Sequence, residues 1–370
     1  MQTKPYIALG LMSGTSLDGI DAAFIETDGE TISSFGPSLS VPYPDTALLK
    51  ETIDAALQWG FEGETPEIFG RAQDYLDRAH MRAISRICSI NPDWARRLDL
   101  IGYHGQTVLH HPAKDGLIGQ TLQLGDGAAL AQEFGVPCVY DFRSADVAAG
   151  GQGAPLAPIY HEALCKSAMF FGRVAVVNIG GVSNVTLVDP DGVLRATDCG
   201  PGNGPLDSWV HQHGHGAYDK DGALSLAGKA SQGDIHRWLM RGFFNRPIPR
   251  SADRYDFDVL DEMDDFSLQD GAATLADFCA QGIARDVRDF APESVIVCGG
   301  GRHNPAIMQG LSEHIDAKII TSEDVAWDGD GLEAQAFGYL AVRSLRGLPI
   351  SFKGTTGAPH DMTGGVVVTP

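Results

Sequence analysis

Apolar and polar positions along the chain repeat one plan twice. Tyr6 to Leu11 is apolar, Ser13 to Gly19 is turn-like, and Ile20 to Glu26 is apolar again, which predicts a strand, a tight turn and a strand. Thr31 to Val41 predicts a third strand. Asp45 stands at an N-cap position ahead of Leu49, Ile53, Ala56 and Leu57, which fall on one helical face. Thr65-Pro66 opens a longer helix carrying Ile68, Phe69, Ala72, Tyr75, Leu76, Ala79, Ala83, Ile84 and Ile87 at helical spacing. Leu98 to Tyr103 predicts a short strand ending in His104-Gly105-Gln106-Thr107, and a helix near Asp126 to Phe134 precedes a strand at Val136 to Tyr140.

The second half follows suit. Strands are predicted at Val174 to Ile179, Asn184 to Val188 and Val193 to Thr197, with turns at G-G-V-S and at Asp189 to Gly192. A long helix around Ser267 to Phe290 leads to a strand at Ser294 to Cys298, a helix from Pro305, a strand at Lys318 to Thr321 and a last helix at Gly331 to Leu345. The expected fold class is α/β: a duplicated, two-lobed architecture with a cleft between the lobes. The lobes are expected at residues 1–140 and 141–345, with Ala148 to Pro155 as the crossing. Residues 346–370 either return to the first lobe or form an irregular surface tail, since Ser351 to Pro370 is rich in Gly, Thr and Pro.

Composition narrows the chemistry. The 370 residues are 43% hydrophobic and 20% charged, and the net charge of −21 would repel a nucleic-acid backbone, so no nucleic-acid partner is expected. No apolar run reaches the ~20 residues of a membrane span, and the N-terminus lacks the form of a signal peptide, so a cytoplasmic protein without a membrane partner is expected. The six cysteines include no C-x-x-C pair and read as buried thiols. Forty-five glycines exceed the usual ~7%, and many cluster at strand ends, where backbone can approach a ligand.

The loop S-G-T-S-L-D-G at Ser13 to Gly19 offers a concave row of backbone donors suited to an anion, or an ordinary hairpin turn. Asp18 and Asp21 add carboxylates suited to a hydrated Mg²⁺. The turn N-I-G-G-V-S-N, with Gly180, Gly181, Ser183 and Asn184, has the same character, so the pair could grip a polyphosphate. Gly299-Gly300-Gly301 follows a strand and offers a third close approach. Asp198, where T-D-C-G-P-G-N leaves a strand, is a candidate general base or a capping residue. Arg143 is suited to clamping a carboxylate or phosphate, or to pairing with Asp141 or Asp146. His104, Gln106 and Thr107 could bond a sugar or pack a turn, and Glu333 could be a first-turn helix acid. Gly222 to Ala230 fails as a P-loop, with five residues between its glycines and Ala230 where a hydroxyl is needed. His211, His213 and His215 do not share a helical face as metal ligands would.

These strings carry a family resemblance. G-L-M-S-G-T-S-L-D-G-I-D at Gly10, H-G-Q-T at His104, D-F-R at Asp141, A-A-G-G-Q-G-A-P at Ala148, N-I-G-G at Asn178, D-C-G-P-G-N at Asp198 and C-G-G-G at Cys298 together resemble the anhydro-N-acetylmuramic acid kinases. The resemblance implies an actin-like, ribonuclease H-like duplicated fold with an interlobe ATP and sugar cleft. It also implies ATP- and Mg²⁺-dependent conversion of 1,6-anhydro-N-acetylmuramic acid and water to N-acetylmuramic acid 6-phosphate in cell-wall sugar recycling. ATP would fall on Gly14, Thr15, Ser16, Leu17, Asp18, Gly19, Ile20 and Asp21, the catalytic base on Asp198, and the sugar on Ser16, Gln106, Thr107, Arg143 and Glu333. A homodimer is implied as well. A conventional sugar or acetate kinase of the same fold and a non-catalytic nucleotide-binding module are the rival readings.

Overall fold

The computed structural model describes residues 4–14, 17–112, 117–252 and 254–370. The chain divides into two compact units, one of Met1–Ser167 with Gly331–Pro370 and one of Ala168–Asp330.

In the first unit β1 (Tyr6–Ser13), β2 (Gly19–Thr27) and β3 (Ile32–Pro42) form an antiparallel meander. β4 (Leu100–His111) runs parallel to β1, β5 (Gln120–Leu124) folds back on β4, and β6 (Cys138–Tyr140) lies parallel to β4 on its other side. β1 is an almost unbroken apolar run because both faces of the sheet are covered. Ile7, Leu9 and Leu11 pack with Ile84 and Ile87 of the helix Ile68–Ile90. On the opposite face the helix Leu332–Leu345 lies against backbone: a Cβ on Gly10 would stand 1.8 Å from the Ala334 carbonyl oxygen, and one on Gly102 2.2 Å from that of Phe337. These two glycines set the depth at which the helix docks.

The second unit repeats the plan. β7 (Val174–Ile179), β8 (Val182–Val188) and β9 (Leu194–Pro201) form the meander, and β10 (Ser294–Cys298) and β11 (Lys318–Thr321) add in parallel. Strand order is β9-β8-β7-β10-β11, which matches β3-β2-β1-β4-β6 position for position. This is the duplicated actin-like, ribonuclease H-like α/β plan. Its core joins Val177, Ile179, Val185 and Cys199 to Phe278 and Ile283 of the helix Leu268–Val287, with Trp209 and Trp238 beyond.

The last strand, β12 (Val366–Val368), belongs to the first unit and pairs with β6. Ser351 bridges to Met362, and Ser351, Thr355 and Thr356 are buried, so the segment expected as a surface tail is built into the fold. The expected lobe limits at 140 and 345 differ from the observed ones at Ser167/Ala168 and Asp330/Gly331. Helix Pro158–Ser167 is buried for most of its length, and Leu332–Leu345 docks on Gly10 and Gly102, so both stay with the first sheet. Three further expectations are corrected. His104, Gln106 and Thr107 lie inside β4 rather than after it, and Asp198 lies inside β9. Leu57 is 61% exposed, whereas Leu49, Thr52 and Ala56 form the buried face of the helix Ala47–Trp59.

Candidate active site

The first unit presents the turn between β1 and β2. Leu17 N–H donates to the Gly14 carbonyl at 3.2 Å, and Leu17 adopts φ +58° with its side chain buried in the apolar cluster of Ile20, Tyr43, Val108 and Leu109. Leu17 and Ile20 are therefore anchors, and only their backbone is suited to a ligand. Thr15 and Ser16 lie outside the described residues. Asp18 is exposed and accepts from Gly19 N–H at 3.0 Å, and Asp21 accepts from the Ser40 hydroxyl.

Behind the turn runs a buried polar chain. Ser13 Oγ lies 2.7 Å from Tyr43 Oη and donates to Gln106 Oε1 at 2.5 Å, while Gln106 Nε2 donates to the Gly14 and Thr107 carbonyls, both at 3.2 Å. Burial raises the Tyr43 hydroxyl far above its usual range, which keeps it a donor. Gln106 is fully buried with its amide committed to these partners, so it holds the Gly14 loop and is not placed to bond a sugar itself. Thr107 Oγ1 accepts from Gln123 Nε2 at 3.2 Å.

Arg143 follows β6. Its Nε and Nη2 donate to His104 Nε2 at 3.2 and 2.9 Å, and its Nη1 donates to the Gly153 carbonyl at 2.7 Å. Burial lowers the guanidinium to about 10, against the favourable charges of Glu333 and Asp146. The possible pairings with Asp141 and Asp146 resolve otherwise. Asp141 accepts from Ser144 Oγ at 2.6 Å, and buried Asp146 accepts from Gly153 N–H, Ser351 Oγ and Thr356 Oγ1 at 2.5–2.6 Å. Glu333 is exposed in the first turn of its helix.

In the second unit, strand register builds a row of polar residues. Asp198 on β9 pairs with Asn184 on β8, Asn184 with Asn178 on β7, and Asn178 with Cys298 on β10. Residues paired in this way share a sheet face. Ser183 pairs with Gly200 and Asn184 with Asp198, so Cys199 is the extra residue of a bulge that redirects the strand just beyond the carboxylate. Asp198 Oδ2 accepts from Ala252 N–H at 2.7 Å, and Asp198 N–H donates to the Arg250 carbonyl at 3.0 Å. Burial raises this half-buried carboxyl to about 6, despite the Ala252 hydrogen bond and the Arg250 charge. Arg250 is itself held by Asp286 at 2.5 Å.

The Gly180-Gly181 turn is gripped from behind. Gly202 and Gly204 N–H donate to the Gly181 carbonyl, both at 3.1 Å, and Asn203 N–H donates to Gly180 at 2.7 Å. A Cβ on Gly202 would lie 2.1 Å from the Gly180 carbonyl oxygen, so only glycine allows this approach. Gly181 is exposed, with nothing within 4 Å of a Cβ position. Ser183 does not reach a ligand: it is fully buried and donates to the Pro201 carbonyl at 2.8 Å. Gly299 and Gly301 are explained by packing, since side chains there would strike Asn178 and Ile179, while Gly300 has more room.

Sequence reasoning missed Tyr43 and the Arg250 to Ala252 segment, whose neighbours carry no recognisable pattern. Among the described residues, no group of three His, Cys, Asp or Glu side chains is placed to hold a metal ion, and no helix is long and apolar enough to cross a membrane.

Comparison with known proteins bears on both units. A family profile described as anhydro-N-acetylmuramic acid kinase matches residues 6–370. The chain is similar to proteins of that name from Rhizobium rhizogenes (46% identity, covering 98% of this chain and 99% of the relative) and Acidiphilium cryptum (48%, 98% and 98%). A third, from Mesorhizobium japonicum, is 44% identical with 98% and 99% coverage. Among solved structures, component A of the Acidaminococcus fermentans (R)-2-hydroxyglutaryl-CoA dehydratase is similar at TM-score 0.47 and 14% identity, covering 91% and 99% of the two chains.

Proposed function

Because the chain belongs to the anhydro-N-acetylmuramic acid kinase family, we propose that it carries out the following reaction. ATP phosphorylates 1,6-anhydro-N-acetylmuramic acid while water opens the anhydro bridge, giving N-acetylmuramic acid 6-phosphate and ADP. The observation that carries this reading is Asp198. Ala252 N–H fixes its Oδ2, no described residue takes its Oδ1, and its carboxyl near 6 is ionised at neutral pH yet basic enough to accept a proton.

The steps balance without a free alkoxide. Asp198 takes a proton from water as the water oxygen bonds to the anomeric carbon. The bond from that carbon to the bridge oxygen breaks, and the oxygen attacks the γ-phosphorus as the bond to ADP breaks. Phosphoryl transfer needs charge stabilisation more than covalent help, and the turn between β1 and β2 and the Gly180–Gly181 turn, whose Gly181 N–H has no acceptor among the described residues, would supply it. Ser13, Tyr43 and Gln106 would preorganise the first turn, and Gly202, Asn203 and Gly204 the second.

Asp18 and Asp21 fit a hydrated Mg²⁺, which takes one or two carboxylates beside substrate phosphates; Asp18 is exposed to solvent on the turn itself. The ion would offset phosphate charge. Arg143 would take the lactyl carboxylate of the sugar, with Thr107 and Glu333 as further sugar contacts and Gln106 reassigned to positioning. Family membership is also the ground for a homodimer in the cytoplasm.

An ADP-release assay over anhydro-sugars tests the reading. Release is expected only with an anhydro-sugar and fastest with the lactyl group; ADP release independent of sugar would overturn it.

A further inference from the structure

Arg143 is held by two uncharged acceptors on different segments. His104, in β4, receives both Nε–H and Nη2–H, and Gly153 receives one Nη1–H. Three of the five guanidinium donors are thus committed, which leaves one N–H on each terminal nitrogen for a further acceptor.

The imidazole is fixed in the form this needs. Its Nδ1 lies 2.8 Å from the Gly105 carbonyl, so Nδ1 carries the hydrogen and Nε2 the lone pair. Its ring packs on Phe337 at 4.6 Å between centroids, and Phe337 packs on Phe142 beside Arg143. Burial and the Arg143 charge both hold the imidazole well below its usual pKa, since a proton on Nε2 would abolish the acceptor and set two cations together. Gly153 is fixed in turn by its N–H on Asp146 Oδ1 at 2.6 Å. A carboxylate in place of His104 would have added a further negative charge to those of Glu333 and Asp146 near the guanidinium; a neutral acceptor orients it without doing so.

We propose that His104 is a positioning residue for sugar recognition, holding Arg143 so that its two remaining donors are kept for the substrate's lactyl carboxylate. This rests on the reading of Arg143 given above.

The test compares 1,6-anhydro-N-acetylmuramic acid with 1,6-anhydro-N-acetylglucosamine, which lacks the lactyl group and is read by its inhibition constant. Arg143→Ala comes first. It should lower kcat/KM for the muramic sugar while barely changing inhibition by the other; equal losses would refute the Arg143 reading itself. His104→Phe keeps the packing on Phe337 and removes the acceptor. It should raise KM for the muramic sugar about 10- to 100-fold, the scale of a lost hydrogen bond to a charged group. KM for ATP and inhibition by the glucosamine analogue should stay within about twofold. His104→Gln, which can return an acceptor near Nε2, should recover most of the loss. Adding His104→Phe to Arg143→Ala should cost nothing further. If Arg143→Ala discriminates between the sugars but His104→Phe leaves KM unchanged, or weakens both sugars alike, His104 is structural only and the proposal is overturned.

Discussion

Asp198 on β9 stands directly across from Asn184 on β8, at the last regular pair before the Cys199 bulge. The carboxylate is therefore carried by the body of an edge strand rather than a loop, and its direction is set by strand register. Asp198→Asn keeps an acceptor for Ala252 N–H but no base. Turnover is expected to fall by roughly 10²–10⁴, the usual worth of general base catalysis, with ATP affinity retained. Turnover above a tenth of the parent rate would refute the role.

The same substitution should stabilise the protein. The Asp198 carboxyl is near 6 in the folded state, against about 3.9 in an unfolded chain. Between these values the folded state binds the extra proton, so stability falls as pH rises from about 4 to 6 and the loss is complete above that. Asp198→Asn should therefore exceed the parent by about 1–3 kcal/mol at pH 7.5 and match it below pH 4. Urea unfolding at the two pH values measures this.

Activity should follow the same group with the opposite sense. The base must be ionised, so kcat/KM for the sugar is expected to rise about tenfold per pH unit below 6 and level off above it. A profile flat from pH 5 to 7 would place the base elsewhere.

Two neighbouring glycines separate packing from ligand contact. Gly202→Ala forces a methyl against the Gly180 carbonyl and should destabilise the protein by about 1–3 kcal/mol. Gly181→Ala meets open space, so it should leave the melting temperature unchanged while raising KM for ATP roughly tenfold, because its methyl would hold a phosphate off the backbone N–H and weaken about one hydrogen bond to a charged group. An unaltered KM in Gly181→Ala would remove this turn from the phosphate site.

Much of this was legible in the sequence because local patterns carry it. The meanders at Tyr6 and Val174 follow from apolar runs broken by glycine turns, and Gly180-Gly181 sits in a turn as read. What escaped was tertiary. Gly10 looked like part of a ligand motif, yet it admits a helix more than 320 residues away, and that helix moves the boundary between units. Ser183 lay in the right motif, but strand alternation points it into the core. Ala252 could not be found, because it acts through its backbone N–H and any residue but proline supplies one.

Thr356 shows what the C-terminal segment does. Its hydroxyl and that of Ser351 satisfy Asp146, whose other oxygen fixes Gly153 and so the cradle of Arg143. Thr356→Val should lower stability by about 1.5–3 kcal/mol, the worth of a hydrogen bond to a charged group, measured by urea unfolding. A loss below about 0.5 kcal/mol would return this segment to the surface.

The most direct test of the reaction is its source of oxygen. The enzyme is run in ¹⁸O-labelled water with ATP and 1,6-anhydro-N-acetylmuramic acid, and quenched before the product's anomeric hydroxyl exchanges. One labelled oxygen at the anomeric carbon and none in the transferred phosphoryl group is the expected result. A 6-phosphorylated product without label, or label in the phosphate, would contradict coupled ring opening and phosphoryl transfer.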